Sequence, residues 1–305
     1  MKEKTIKNII KNKIDDLISS VKDEEIKKLM QNGIIVTGGC IPSLLSDTSV
    51  NDFDIYFKDI DTAYKVGNYY VNQFKKHNKG NKGNKGNKGI PTNISLIKED
   101  NRLYLMVKSY GVAKGDSSEY QELDISSPKS ENFIETAVHF LQGYTDKKNR
   151  YKPLVLTSNA ITLSNDVQLI TRFFGSPEEI HKNFDFIHCT NYWTSWNNEL
   201  VLKADALTSI MTKELKYFGS LYPICSMFRI RKYLKRGYTI NAGQILKISY
   251  QISKLDLDDV EVLCSQLIGV DASYFFQLLE IMKIDIAKGI KIDEVYLGQL
   301  IDEIF

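Results

Sequence analysis

Hydrophobic and polar positions alternate along this chain with two distinct periods, and the change of period predicts its organisation. From residue 4 to 31, Ile6, Ile9, Ile10, Ile14, Leu17, Ile18 and Val21 recur at helical spacing among Lys, Asp and Glu. This predicts one amphipathic helix and a shorter second one from Asp23 to Gln31, both covering one face of a sheet built from the strands downstream. Gly33 to Thr37 is an apolar strand that runs into Gly38-Gly39, a short apolar helix over Ile41 to Leu45, and an acidic strand, Asp52 to Phe57. Along that strand successive side chains alternate faces, so Asp52 and Asp54 point one way and Phe53, Ile55 and Phe57 the other. A helix over Asp61 to His77 comes next. Strand patterns resume at Asn93–Lys98, Leu103–Tyr110 and Tyr120–Ile125, with a helix near Glu131–Leu141 and strands at Leu154–Leu163 and Val167–Phe174.

Punctuation refines that outline. Four Asn-Lys-Gly triplets, Asn78 to Gly89, contain nothing apolar and read as a solvated surface loop. Glu99-Asp-Asn-Arg102 and Ser164-Asn-Asp166 carry hairpin chemistry. Ser176 is an N-cap, Pro177 suits the first helical position, and Glu178 and Glu179 complement the helix dipole. From Ala204 the period is helical throughout: Ala204–Tyr217, Pro223–Lys235, Asn241–Ser253, Asp258–Leu267, Ala272–Lys283 and Asp293–Ile304. The expected fold class is α+β, a mixed sheet with covering helices over 1–200 (loop 78–89), followed by an all-helical domain over 201–305.

Composition excludes more than it assigns. A net charge of +2 over 305 residues gives no bulk argument for nucleic acid or membrane. No apolar run is long enough for a bilayer, and the Lys-rich start lacks the apolar core of a signal peptide, so a cytoplasmic protein without a membrane partner is expected. Cys40, Cys189, Cys225 and Cys264 are too scattered for a zinc pattern and are expected to be reduced thiols. His181, His188 and Cys189 lack a fourth ligand.

The candidate chemistry lies between Gly38 and Asp54. Two carboxylates side by side on a strand repel unless a cation lies between them, and Mg²⁺ takes few carboxylates while keeping sites for phosphates. A glycine pair lets backbone approach a triphosphate closely. The stretch resembles the nucleotidyltransferase superfamily of DNA polymerase β, poly(A) polymerases and CCA-adding enzymes. Gly38, Gly39, Leu45, Asp52 and Asp54 match its head pattern, G-G-x-x-x-x-x-L then D-x-D, without a gap. Those enzymes usually carry Arg-Asp where this chain has Pro42-Ser43, so the match speaks for the chemistry and not for the CCA-adding identity.

The resemblance implies a polymerase-β-like sheet, an NTP substrate, and Mg²⁺ or Mn²⁺ held by Asp52, Asp54 and a third acid. Asp185 (Phe-Asp-Phe) and Asp124 (Leu-Asp-Ile) both offer the apolar-acid-apolar context, with Asp185 favoured; Gln168 sits in a similar context but is an amide. Arg229, Lys232 and Arg236 share a face of the helix before Gly237, either as phosphate contacts or as C-terminal capping charges. Tyr192, Trp193 and Trp196 are core or base-stacking residues. A second resemblance, over roughly Ala160 to Tyr238, is to little-characterised eukaryotic, viral and phage proteins that also carry a D-x-D region. The implied activity is transfer of a nucleotide from NTP to an acceptor, with an RNA 3′ end, tRNA, a protein or a small molecule open. The alternatives are a nucleotide- or RNA-binding module without turnover and a toxin-like modifying enzyme.

Overall fold

A computed structural model describes residues 1–78, 94–108, 120–122, 150–157 and 159–257, with single positions 259, 262, 266, 295, 296, 298 and 299 beyond. Asp124, the helix expected over Glu131–Leu141 and the body of the Asn-Lys-Gly stretch lie outside the described residues, as do nearly all of the last three predicted helices. The chain divides into two compact units, Met1–Thr212 and Lys213–Phe305.

The first unit is built on a seven-stranded mixed sheet. Helices α1 (Glu3–Ser20) and α2 (Glu24–Gly33) lead into β1 (Ile34–Thr37), α3 (Cys40–Leu45), β2 (Phe53–Phe57) and α4 (Ile60–Asn78). Next come β3 (Ile94–Glu99), β4 (Arg102–Lys108) and β5 (Tyr120–Glu122), a separate three-stranded antiparallel sheet. The main sheet resumes with β6 (Pro153–Leu156), β7 (Ala160–Leu163) and β8 (Val167–Phe174), then α5 (Pro177–His181), β9 (Tyr192–Thr194), β10 (Glu199–Val201) and α6 (Ala204–Thr212). Its strand order is β10-β9-β1-β2-β8-β7-β6, antiparallel except for the central β2–β8 pair. The run expected as a single strand over Leu154–Leu163 is therefore two, because Thr157 folds back on Ala160: its N–H and hydroxyl both donate to the Ala160 carbonyl, at 2.9 and 3.1 Å. Asn165 and Asp166, with φ of 64° and 55°, turn β7 into β8 in the mirror-image geometry that suits tight hairpins.

One face of this sheet is the core. Ile34, Val36, Phe53, Ile55, Phe57, Val167, Leu169 and Trp193 pack beneath the apolar stripes of α1, α2 and α4 (Ile6, Ile10, Ile14, Leu17, Met30, Val66, Tyr70). Burial of each such side chain stabilises the fold by about 1.5–3 kcal/mol. Asp23 caps α2 by accepting from the Glu25 and Ile26 N–H groups at 2.9 and 3.2 Å, which fixes where the first helix pair breaks. Among the described residues, the opposite face carries a small apolar cluster, Ile35, Tyr56 and Ile180, bordered by Ile170, Phe173, Phe184 and Tyr192.

The second unit is not wholly helical. The helix expected to run to Tyr217 stops at Thr212, where Lys213 turns left-handed with φ of 54°, and Glu214–Leu215 (β11) pairs in parallel with Thr239–Ile240 (β12). Between them lies α7 (Pro223–Leu234), and α8 (Ala242–Ile252) comes after β12 with Asn241 as its N-cap. Helix α7 ends in a Schellman motif. Gly237, at φ 81°, donates to the Leu234 carbonyl, Tyr238 donates to the Tyr233 carbonyl, and the two tyrosine rings stack edge-on at 5.8 Å. Leu234 is 47% exposed beside that cap.

Candidate functional site

The two halves of the G-G/D-x-D signature meet at the end of β1. Strand β1 pairs antiparallel with β2 so that Thr37 lies opposite Asp54. The next residue, Gly38, turns left-handed with φ of 96°, and a Cβ placed on it would lie 2.7 Å from the Asp54 Oδ2. The carboxylate thus lies against the bare α-carbon of Gly38, so any other residue there is disfavoured both by backbone conformation and by contact. Gly39 is different: its φ is −71° and no atom lies within 4 Å of an added Cβ, so the fold makes no demand for glycine at that position. The turn is held from behind by Gly38 N–H donating to the Cys189 carbonyl at 3.2 Å and by the Ser43 hydroxyl donating to the Gly39 carbonyl at 3.0 Å. That second bond gives a structural role to the serine that replaces the usual Asp.

Asp52 precedes β2 and is exposed, and Asp54 is half-buried within it. Both charges reach the Cys40 thiol, which burial first, and then Asp54 and Asp52, hold well above its ordinary range. Cys40 is thus a protonated thiol packed beneath an acidic site. Two carboxylates fit the coordination habit of Mg²⁺, which completes its shell with substrate phosphates and water.

Asp185, the expected third acid, is not on a strand. It lies in a bend after α5, 6% exposed, with Oδ1 accepting from the Phe186 N–H at 3.0 Å. The bend lies between α5, started by the capping box of Ser176 and Glu179, and a 3-10 turn, Ile187–Cys189, that follows the fully buried Phe186. Among the described residues no three His, Cys, Asp or Glu side chains gather closely enough to share a metal ion. The residue that β8 sets beside Asp54 in register is Gln168. Arg229 and Lys232 lie on α7 and Arg236 in its C-terminal cap, all in the second unit. Trp193 is core, 2% exposed with its indole N–H donating to the Asn198 Oδ1 at 3.0 Å, whereas Tyr192 pairs with Thr37 and lies on the Asp54 face.

That face holds a network absent from the sequence-based expectation. Thr37 Oγ1 contacts His181 Nε2 at 2.9 Å and donates to the Asn191 carbonyl at 2.8 Å. His181 Nδ1 contacts the Lys203 ammonium at 3.0 Å, and Lys203 lies 5.6 Å from the centre of the Tyr192 ring. Burial, then the Lys203 charge, lower the His181 pKa from 6.5 to about 3, so the imidazole is neutral. These partners come from β1, α5, β9 and the residue before α6. The one local cue was Thr37, a polar residue closing an apolar run just before the glycines.

A family model described as Gabija anti-defense 2 family protein matches residues 8–213. A curated relative, Gabija anti-defense 2 of Bacillus phage SPbetaL7, is 27% identical over 110 residues, which is 36% of this chain and 28% of that protein. The match therefore spans little more than a quarter of the relative's length. Among solved structures, the Thermotoga maritima CCA-adding enzyme complexed with tRNA superposes with a TM-score of 0.37 and 10% identity, over 79% of this chain and 45% of that one. The Bacillus stearothermophilus CCA-adding enzyme in complex with CTP gives 0.33 and 11%, over 81% and 47%. Likeness at that level is too weak to carry an activity across.

Proposed function

The chain belongs to the Gabija anti-defense 2 family, and from that premise we propose that it acts against a defence system as a metal-dependent nucleotidyltransferase. The observation that carries the reading is the Asp54 carboxylate set against Gly38, which joins a phosphate-approachable turn to one carboxylate on a strand and a second, Asp52, just before it. Asp52 and Asp54 would hold Mg²⁺ or Mn²⁺. When bound, the ion supplies neutralisation of triphosphate charge. The chain's own contribution is to aim the turn. Gly39, with open space over its α-carbon, lets a phosphate approach the backbone, and Thr37 and Ser43 hold the turn's two ends. In the proposed reaction an acceptor hydroxyl gives up its proton to solvent and bonds to the α-phosphorus of an NTP, the bond from that phosphorus to the bridging oxygen breaks, and pyrophosphate leaves. An RNA 3′ end is the proposed acceptor, with Arg229, Lys232 and Arg236 as contacts to its phosphates.

The reading is tested by incubating the purified chain with each α-labelled NTP, Mg²⁺ or Mn²⁺, and total cellular RNA and protein. Label transferred by the native chain and absent with Asp52→Ala/Asp54→Ala supports it. Absence of both transfer and pyrophosphate release with every NTP rejects turnover. A second reading, nucleotide binding without transfer, is favoured by one observation: the neighbour of Asp54 across β2–β8 is the amide Gln168, which cannot act as a base. Calorimetry with a non-hydrolysable NTP separates the two, since binding without turnover selects the second.

A further inference from the structure

The Thr37–His181–Lys203 network fixes the direction of both His181 bonds, while the Thr37 hydroxyl has two carbonyl acceptors, Asn191 at 2.8 Å and Cys189 at 3.2 Å. An ammonium can only donate, so His181 Nδ1 accepts from Lys203 at 3.0 Å. The neutral imidazole then carries its hydrogen on Nε2 and donates it to Thr37 Oγ1 at 2.9 Å. Thr37 passes its own hydrogen to the Asn191 carbonyl at 2.8 Å. All donors in the relay run one way, from Lys203 to the end of β1. One of the three ammonium hydrogens is used; the Tyr192 ring face accounts for the other contact, at 5.6 Å. Among the described residues no carboxylate pairs with Lys203. Glu178 and Glu199 act on the Tyr192 hydroxyl, raising its pKa after burial does, and neither bonds the ammonium.

Lys203 is half-buried and its position is fixed at both ends. Its backbone N–H donates to the Asn191 Oδ1 at 2.8 Å. Asn191 is itself completely buried, and its Nδ2 lacks any hydrogen-bond acceptor among the described residues. An ammonium with hydrogens to spare, held by a neutral imidazole where a carboxylate would cancel its charge, describes an anion site. It shares the face of Asp54: Thr37 pairs with Asp54 and Tyr192 with Thr37, two strand spacings or about 10 Å apart.

We propose that Lys203, positioned by His181 and Thr37, is a phosphate-binding residue that takes the polyphosphate end of a nucleotide whose reacting end lies at Asp52 and Asp54. The identity of the anion rests on the nucleotidyltransferase reading; the presence of an anion site does not. The test is titration of the intact chain with inorganic pyrophosphate in the presence of a chelator, followed by calorimetry and by ³¹P line broadening. The native chain is expected to bind, Lys203→Gln to bind roughly 10- to 100-fold more weakly, and Lys203→Arg to recover most of the affinity. Asp52→Asn/Asp54→Asn is expected to bind at least as well as the native chain, since a nearby negative charge is removed. Histidine ¹⁵N spectra provide a control that pyrophosphate affinity alone does not: His181 is in the Nε2–H tautomer in the native chain and in Lys203→Arg. Pyrophosphate affinity unchanged in a folded Lys203→Gln, or no binding by the native chain, overturns the proposal. Lys203-dependent binding in a chain that never turns over NTP leaves this site standing and removes only the transferase reading.

Discussion

The two faces of the seven-stranded sheet are made by the same strands in alternation, yet they obey different rules. On the helix-covered face, Ile34, Val36, Ile55, Phe57 and Leu169 are interchangeable in kind: each is apolar, fully buried, and held by contact with several neighbours. On the other face Thr37, Asp54, Tyr192 and Gln168 are polar or amphipathic, and Thr37 makes directional hydrogen bonds. Apolar burial is concentrated on the first face and the proposed chemistry on the second. Perturbations of the two should therefore separate cleanly in stability and in ligand measurements.

The largest effect is expected from Phe57→Ala. Removal of a fully buried ring is expected to cost about 3–5 kcal/mol in urea unfolding, with metal-nucleotide affinity per folded molecule unchanged. Asp54→Ala should do the reverse. Turnover is expected to fall on the order of 100-fold or more, while unfolding free energy stays within about 1 kcal/mol. A large stability loss with Asp54→Ala would show that the faces are not separable. Gly38→Ala lies between. The left-handed backbone, with φ of 96°, costs about 1–2 kcal/mol, and the new methyl group displaces the Asp54 carboxylate, so stability and activity fall together.

The same contrast sets how far these differences were legible in the sequence. The covered face was readable because burial repeats with a period: the stripe Ile6, Ile10, Ile14, Leu17 announces α1, and Phe53, Ile55, Phe57 announce the inner side of β2. Gly38 and Asp54 were readable because a strained backbone and a paired carboxylate leave few residue choices. Asp185 misled because apolar neighbours mark burial and not strand. Phe186 is buried in a bend as effectively as it would be in a sheet. The segment after Thr212 was read as helix because Glu214–Leu215 and Thr239–Ile240 are too short to show a period of two. The His181–Thr37 contact joins residues 144 apart in sequence, and no local period encodes it.

Smaller effects test that network. The folded pKa of His181, about 3, lies below its unfolded value of 6.5, so between those limits the unfolded chain binds a proton that the folded chain refuses. Stability should therefore fall as pH drops from about 6.5 towards 3, with His181 contributing up to about 1.4 kcal/mol per pH unit. Urea midpoints measured across that range for the native chain and His181→Gln should diverge, the variant being less pH-sensitive. The smallest effect on the fold is expected from Gly39→Ala, which meets no atom within 4 Å and should be neutral or stabilising by roughly 0.4–1 kcal/mol. Any loss of nucleotide affinity in that variant reports close approach of a phosphate to the turn, because the fold itself tolerates the methyl group.

The central claim is that Asp52 and Asp54, beside Gly38, form a divalent-ion nucleotide site, and Mn²⁺ bound with a non-hydrolysable NTP reports on it directly. Paramagnetic broadening should be strongest at Gly38, Gly39, Asp52 and Asp54 in the native chain and vanish in Asp52→Ala/Asp54→Ala. Broadening that survives in the double variant, or that never reaches Gly38 in the native chain, would contradict the account.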